Sequence, residues 1–289
     1  MLIINPHSGR GLSKTALGTV VSGLCDADYI VTVFFSHDLT PEELAYEYAR
    51  QFDLVVCVGG DGTLSGVISG LLSADASVPV GYIPAGTAND VATTLALSRD
   101  PSVAAQKILK GTPRPLDIGR FHDKYFTYIA AFGAFTGASY STPKSAKRAL
   151  GHFAYVLGGL AGIAAIKPRH TVIEYDGNVT EGDFIFGGVT NSTSVAGLVK
   201  LDPKYVDLAD GMFEIILIKQ PLVLADFLDI MSSLTVRTYD GDNVQMLHAS
   251  KVRFYFPEGE VAWTIDGEDG GRHKKVEITN YHKAVDIVM

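Results

Sequence analysis

One segment, Leu54-Val-Val-Cys-Val-Gly-Gly-Asp-Gly-Thr-Leu64, runs five apolar residues directly into a turn whose only charge is Asp61. The apolar run is typical of a parallel strand that is covered on both faces. Gly59, Gly60 and Gly62 allow a ligand to approach the backbone, and a carboxylate beside phosphate-binding N–H groups is expected to act through Mg2+ or water. The segment therefore predicts a strand ending in a phosphate-handling turn. The alternative is an ordinary strand-to-helix turn with a capping Asp.

Two further strands end in polar loops that contain glycine. Leu2 to Ile4 precedes Asn5-Pro-His-Ser-Gly-Arg-Gly11, and Val78 to Ile83 precedes Pro84-Ala-Gly-Thr-Ala-Asn-Asp90. Helices are predicted between the strands, at Leu12–Leu24, Pro41–Gln51, Leu64–Leu72, Val91–Leu97 and Pro101–Lys110. This alternation indicates a doubly wound parallel sheet, so the three loops should share the rim at the carboxyl ends of the strands.

The pattern changes after Gly111-Thr-Pro-Arg-Pro115. Later strands are predicted in hairpins, with helices at about Lys147–Ala165 and Leu222–Leu234. We place the boundary near residue 119, which gives an α/β domain of residues 1–119 and an antiparallel β domain of residues 120–289. The last residues of the chain could return to the first domain.

Composition limits the class of protein. The chain has 289 residues, 47% of them hydrophobic and 19% charged, which is typical of a folded protein of two domains. A formal charge of −8 argues against a nucleic-acid partner, although a local basic patch is not excluded. Cys25 and Cys57 lack metal-ligand spacing, so we expect reduced thiols in a cytosolic protein. The longest apolar segment, Phe153–Ile166, is shorter than the roughly 18 to 20 residues of a membrane span.

Two acidic turns lie in the second half of the chain. Asp207-Leu-Ala-Asp210-Gly-Met212 could hold Mg2+ or Ca2+ with backbone carbonyls, or it could be a solvated acidic turn. Asp266-Gly-Glu268 follows a predicted strand. Its two carboxylates would lie on the same side of an extended chain, as suits a general base with a neighbour, but a type I′ hairpin turn explains Asp-Gly equally well.

Six motifs, in this order, resemble the diacylglycerol kinase catalytic family, and especially its soluble bacterial lipid kinases. They are Asn5-Pro-His-Ser-Gly9, Gly59-Gly-Asp-Gly-Thr63, Gly86-Thr-Ala-Asn-Asp90, Leu116-Asp-Ile-Gly119, Asp210-Gly211 and Asp266-Gly-Glu268. The resemblance implies an α/β nucleotide domain followed by a β-sandwich, with ATP and a lipid hydroxyl meeting in the cleft. It departs from the family at the start, where only Leu2 to Ile4 precede Asn5; either the start is trimmed or this edge of the sheet is weak.

The resemblance also implies roles for individual residues. Asp61, Asp90 and Asp117 would form the acidic network that positions the catalytic Mg2+. Asp266 and Glu268 would accept the proton. A second, structural Mg2+ is expected at Asp207, Asp210 and Met212, the first and last through carbonyl oxygens. Nucleotide contacts are expected at Asn5, Ser8, Gly9, Arg10, Ser36, Gly59, Gly60, Gly62, Thr63, Thr87 and Asn89, as well as at Asp61.

The expected function is ATP- and Mg2+-dependent phosphorylation of a lipid hydroxyl, with diacylglycerol as the expected acceptor and phosphatidic acid as the product. The enzyme is expected in the cytoplasm, peripheral to the inner face of the membrane. Phe153–Ile166 would admit an acyl chain or touch the membrane, or else form a buried helix. One alternative is an NAD kinase, which resembles the chain at Gly59–Thr63. The other is a non-catalytic nucleotide-binding regulator. The acceptor and the oligomeric state, including a homodimer, are left open.

Overall fold

The computed structural model describes residues 1–9, 14–134, 167–195 and 199–289. Arg10, the predicted helix at Lys147–Ala165 and the segment Phe153–Ile166 therefore lie outside the described residues. In chain order the helices and strands are β1 (Leu2–Ile4), α1 (Lys14–Asp26), β2 (Val33–Phe35), α2 (Pro41–Tyr48), β3 (Val55–Gly59), α3 (Asp61–Ser73), β4 (Val80–Pro84), α4 (Asp90–Thr94), α5 (Pro101–Lys110), β5 (Pro113–Phe121), β6 (Lys124–Phe126), β7 (Ile129–Gly133), β8 (Arg169–Tyr175), β9 (Asn178–Thr190), β10 (Ser194–Val195), β11 (Val199–Lys200), β12 (Phe213–Lys219), α6 (Leu224–Val236), β13 (Val244–Ala249), β14 (Lys251–Tyr255), β15 (Val261–Ile265), β16 (Glu268–His273) and β17 (Lys275–Val288).

The residues group into two compact units that do not follow chain order. The first unit comprises Met1–Tyr128, Asn191–Gly211 and Asn280–Met289, and the second comprises Ile129–Thr190 and Met212–Thr279. The predicted boundary near residue 119 divides the chain at one point, whereas the two units comprise three segments and two segments of the chain. Strand β17 begins in the second unit and ends in the first.

The first unit is built on a parallel sheet. Its strands lie in the order β4-β3-β1-β2, and all five residues of β3 are buried, as the apolar run predicts. The sheet is packed against α1 and α5 through one apolar cluster, in which Leu2, Val56 and Ile108 are buried. Strand β2, at the edge of the sheet, comprises only Val33–Phe35. The doubly wound α/β prediction is confirmed.

The predicted start of α2 is confirmed in atomic detail. The hydroxyl of Thr40 accepts the N–H of Glu43 at 3.2 Å, and the Glu43 carboxylate accepts the N–H of Thr40 at 2.7 Å. This capping box satisfies two backbone donors at the helix start. A short 3-10 turn, Ala49–Gln51, continues α2 to the predicted end.

The second unit is an antiparallel sheet, as the hairpin pattern predicts. Its strands lie in the order β16-β15-β7-β9-β8-β14-β17, and β12 pairs with both β9 and β13. Four aromatic side chains pack together in its core, namely Phe132, Phe254, Phe256 and Trp263. Among the helices that the structure describes, none is long and apolar enough to span a lipid bilayer.

Candidate active site

The loops that follow β1, β3 and β4 meet backbone to backbone at one rim of the first unit. A Cβ atom on Gly86 would collide with the Cα of Gly60, and one on Gly9 would collide with the carbonyl of Ala85. Gly9 also has a φ of 52°, a conformation that glycine adopts readily. The sequence prediction that these three loops share one rim is confirmed, and the contacts leave no space for larger residues.

Polar side chains join the strand ends at this rim. The amide Nδ2 of Asn5 donates to Oγ1 of Thr63 at 3.0 Å. The hydroxyl of Ser8 donates to the carbonyl of Asn5 at 2.9 Å, and the N–H of Ser36 donates to the carbonyl of Ile4 at 2.9 Å. Four of the predicted nucleotide-contacting positions therefore lie on three adjacent strand ends.

The carboxylate of Asp61 caps a helix other than its own. It is only 8% exposed, and it accepts the N–H of Asp90 at 3.0 Å and the N–H of Val91 at 3.2 Å. Asp90 and Val91 are the first two residues of α4. The side chain of Asn89, the N-cap residue of this helix, accepts no hydrogen bond from the backbone N–H groups of the first turn. The capping alternative is thus realised in α4 rather than in α3. The same contact brings Asp61 beside Asp90, two of the predicted acidic residues.

The charge of Asp61 also affects buried neighbours. Burial raises the pKa of the Cys57 thiol, and the negative charge of Asp61 raises it further. The same two causes, in the same order, raise the pKa of the Tyr82 phenol. Asp61 thus brings a negative charge and hard carboxylate oxygens to the rim, and such oxygens are the ligands that Mg2+ prefers.

The loop after β4 is closed by Asn89. Its Oδ1 accepts the N–H of Gly86 at 2.9 Å, and its Nδ2 donates to the carbonyl of the same residue at 2.9 Å. Asn89 has a left-handed backbone, with φ 54°, and is buried. Its amide thus folds the loop, while Thr87 lies exposed at the tip.

Asp117 binds the acidic turn. Its carboxylate accepts the N–H of Gly211 at 2.6 Å and the N–H of Lys283 at 2.6 Å, and Nδ1 of His282 lies 3.1 Å from it. The N–H of Asp117 donates to the carbonyl of Leu208 at 2.8 Å. The contacts described for this fully buried residue therefore place it with Asn191, residues 208–211 and residues 280–283, and none of them is with Asp61 or Asp90.

The acidic turn itself is open to solvent. Asp207 and Asp210 are exposed, and Oδ1 of Asp207 accepts the N–H of Ala209 at 3.0 Å. Both line a cavity of about 590 Å³ together with Arg114, Lys204 and Tyr205. In the described parts of the chain, no three acidic, His or Cys side chains come close enough to hold a metal ion. Met212, the third predicted ligand, belongs to the second unit.

Asp266 and Gly267 form the turn of the β15–β16 hairpin. Their φ values are 48° and 85°, as in a type I′ turn, and Ile265 pairs with Glu268. The prediction that Asp266 and Glu268 lie on the same side of an extended chain is wrong, because the chain reverses between them. Asp266 is 7% exposed and accepts the N–H of Ile129 at 3.1 Å, whereas Glu268 is exposed.

Sequence reasoning missed the residues that hold Asp117. Asn191 is 3% exposed and donates through Nδ2 to the carbonyl of Asp117 at 2.8 Å; His282 and Lys283 bind its carboxylate. These partners are separated from Asp117 by 74 to 166 positions in the chain. No local pattern in the sequence could have identified them.

Comparisons with known proteins agree with this architecture. Residues 1–121 match the diacylglycerol kinase catalytic domain, and residues 135–285 match the YegS C-terminal NAD kinase beta sandwich-like domain. The diacylglycerol kinase of Bacillus subtilis is 34% identical, covering 100% of this chain and 95% of its own length. The diacylglycerol kinase of Staphylococcus aureus is 31% identical, covering 99% of this chain and 90% of its own.

Two solved structures share the fold. A diacylglycerol kinase from Bacillus anthracis superposes with a TM-score of 0.76 at 21% identity, covering 99% of this chain and 95% of its own. Yeast NADH kinase complexed with NADH superposes with a TM-score of 0.51 at 13% identity, covering 100% and 82%. Fold and family matches together define a lipid kinase. The chain belongs to the diacylglycerol kinase family.

Proposed function

We propose that this chain is an ATP- and Mg2+-dependent kinase that transfers the γ-phosphate to the hydroxyl of diacylglycerol. One observation carries the proposal: the Asp61 carboxylate accepts the backbone N–H of Asp90 at a rim built from three glycine-containing loops. Full-length relatives that are named diacylglycerol kinase support the choice of acceptor. The proposed roles of individual residues rest on the chemistry of their side chains.

The phosphates of ATP are proposed to bind at the start of α3. This helix has 13 residues, and its N-cap residue Gly60 supplies no side-chain hydrogen bond. The N-terminus of a helix attracts anions through its N–H groups and its dipole. Asn5 and Thr63, already joined by a hydrogen bond, supply further polar groups beside it.

Asp61 and Asp90 are the proposed ligands of the catalytic Mg2+. The ion, when bound, would neutralise charge on the phosphates. The N–H groups of Asp90 and Val91 fix both oxygens of Asp61, so this carboxylate does not reorganise when the nucleotide arrives. A second Mg2+ is proposed at the turn of Asp207 and Asp210, where backbone carbonyls of the same turn would complete the ligand set.

Asp266 is the proposed acceptor of the proton from the lipid hydroxyl. It is buried, and the N–H of Ile129 fixes the orientation of its carboxylate. Glu268 is exposed, so its carboxylate is solvated and its orientation is less restricted. A positioned carboxylate base usually contributes about 100- to 10,000-fold to the rate.

The test is transfer of label from ATP, with Mg2+ present, to a panel of acceptors: diacylglycerol, phosphatidylglycerol, sphingosine, ceramide and NAD. Each lipid is dispersed in detergent micelles. We expect label in phosphatidic acid, a loss of at least about 100-fold in Asp266→Asn and about tenfold or less in Glu268→Gln. Both variants should still bind ATP.

Label in NADP, or in no product, would contradict the proposed function. Label in a different lipid would replace diacylglycerol but keep the lipid kinase. Wild-type transfer by Asp266→Asn would exclude it as the base. Loss of ATP binding by Asp266→Asn would instead make it a nucleotide or metal ligand.

A further inference from the structure

Helix α6 in the second unit carries exposed apolar residues at its start in addition to the buried ones that face inward. Phe227 and Ile230 face inward and are buried. On the outer side lies a group that we name the leucine patch: Leu222, Val223, Leu224 and Leu228, with 83%, 61%, 62% and 58% of their surface exposed. Single exposed leucines are common on protein surfaces, but four exposed apolar residues within seven positions form a patch that indicates an interaction surface.

The patch is held rigidly. The carboxylate of Asp226 accepts the N–H of Leu222 at 2.8 Å and the N–H of Val223 at 3.1 Å. Leu224 and Leu228 are four positions apart and therefore share one helical face. Because Asp226 satisfies the two N–H groups, the start of the helix can enter an apolar environment without leaving these donors unpaired.

The composition of the patch fits a lipid surface better than a protein partner. Its members are all aliphatic, whereas protein–protein hot spots are enriched in Trp, Tyr and Arg, and Leu and Val are under-represented there. Lys219 lies before the patch and Arg237 follows the helix, and neither forms an ion pair with a residue that the structure describes. The helix also carries two carboxylates, of which Asp226 accepts the two backbone N–H groups and Asp229 accepts Nδ2 of Asn243. The two cations at the ends of the segment complement anionic headgroups.

We infer that the leucine patch docks the protein on a lipid bilayer, with α6 lying in the plane of the interface and Lys219 and Arg237 at the headgroups. The inference rests on the proposed function, because a kinase whose acceptor is a membrane lipid must reach a bilayer surface. It names the surface that makes this contact, which the proposed function does not.

The experiment measures binding of the full chain to vesicles of phosphatidylcholine and phosphatidylglycerol in equal parts, without diacylglycerol. The variant Leu222→Gln/Leu224→Gln/Leu228→Gln should bind roughly 100-fold more weakly, since three leucines lose their burial in the acyl boundary. Leu222 precedes the helix, and the single variant Leu222→Gln should show part of the loss of vesicle affinity. The matched control is Val179→Gln, an equally exposed apolar residue of the same unit, and its vesicle affinity should equal that of the wild type.

Transfer to a short-chain diacylglycerol that is soluble as monomers separates the two proposals. The triple variant should keep this activity within about twofold, because exposed substitutions rarely disturb the fold. If the wild type does not phosphorylate the short-chain diacylglycerol, the proposed function is wrong, regardless of the result of the vesicle experiment. Equal vesicle affinity of the triple variant and the wild type, or no binding by the wild type, would overturn the docking surface. The docking surface would also be overturned if the wild type self-associates and the triple variant does not, while the two proteins bind vesicles with the same affinity.

Discussion

At the scale of single residues, Asp61 combines a structural task with a proposed catalytic one. Its carboxylate fixes the first turn of α4 through the N–H groups of Asp90 and Val91. Its charge helps to raise the pKa of Tyr82, after the larger effect of burial. Different substitutions of Asp61 can therefore remove its charge alone or remove both its charge and its hydrogen bonds to α4.

Asp61→Asn and Asp61→Ala should both reduce phosphoryl transfer by roughly 100- to 1,000-fold, since each removes the charge that would position the metal. Asn keeps one acceptor oxygen for the N–H groups of α4, whereas Ala keeps none. Asp61→Ala should therefore also lower the free energy of unfolding by about 1 to 2 kcal/mol, and Asp61→Asn by less. Single-turnover transfer and urea unfolding measure the two effects separately.

Asp100 offers a matched control for the cap. Its Oδ1 accepts the N–H groups of Ser102 at 2.9 Å and Val103 at 3.1 Å at the start of α5. Asp100→Ala should cost about 1 kcal/mol of stability with unchanged transfer. Wild-type turnover of Asp61→Asn at saturating Mg2+ would show that this carboxylate has no part in catalysis.

The sequence predicts where Asp61 lies but not what it touches. A β-branched run ending in glycines is enough to place it at a strand end. Its partners Asp90 and Val91 are 29 and 30 positions away, and the contact exists only once β3 and β4 pair in register. For Asp117 the same limit is greater, since its carboxylate binds backbone N–H groups, which every residue type except proline carries.

At the scale of elements, β14 and β17 are joined by a charged cluster. Arg253 and Glu277 lie directly opposite each other, with Nε 2.6 Å from the carboxylate, and Nζ of Lys251 lies 2.9 Å from it. The hydrogen bond from Arg253, followed by that from Lys251, lowers the pKa of Glu277 to about 2. A depressed pKa stabilises the fold above the ordinary value of 4.5, and that contribution is lost as the pH falls towards 2.

Glu277→Gln should accordingly cost little at pH 7, at most about 1 kcal/mol, because the cluster is partly exposed to solvent. Between pH 4.5 and pH 2 the variant should lose stability less steeply than the wild type, since it has no carboxylate to protonate. Urea unfolding at several pH values measures both slopes. Parallel curves for the two proteins over this range would mean that the cluster makes no net contribution.

The positions of the turns between these strands were predictable from the sequence, but the burial of the turn side chains was not. Asp176-Gly177 forms the hairpin turn between β8 and β9, with Tyr175 opposite Asn178, as the preference of Asp-Gly for such turns predicts. Asp266-Gly267 forms a turn of the same kind, yet its carboxylate proved to be buried, away from the exposed Glu268. Dipeptide preferences fix the reversal of the chain, whereas burial depends on packing against β7, which is distant in sequence.

At the scale of the whole molecule, the chain order hides how the first unit is assembled. Residues 191–211 and 280–289 join residues 1–128 in one compact body. Asp117 is fully buried, and the donors to its carboxylate come from the two later segments. The catalytic-domain match at residues 1–121 therefore covers a region whose buried charge is satisfied from elsewhere in the chain.

A chain that ends at Tyr128 should lack a cooperative unfolding transition, although it keeps β1 to β6 and α1 to α5. It loses the N–H groups of Gly211 and Lys283 that bind the Asp117 carboxylate. A buried charge left without its partners costs roughly 3 to 5 kcal/mol, a large part of the roughly 5 to 15 kcal/mol that stabilises a folded protein. Adding Asp117→Asn to the shortened chain should recover part of this loss, because the amide carries no charge. Thermal unfolding followed by circular dichroism decides the matter: a shortened chain that melts as sharply as the full chain, at the same temperature, would show that the later segments do not stabilise this unit.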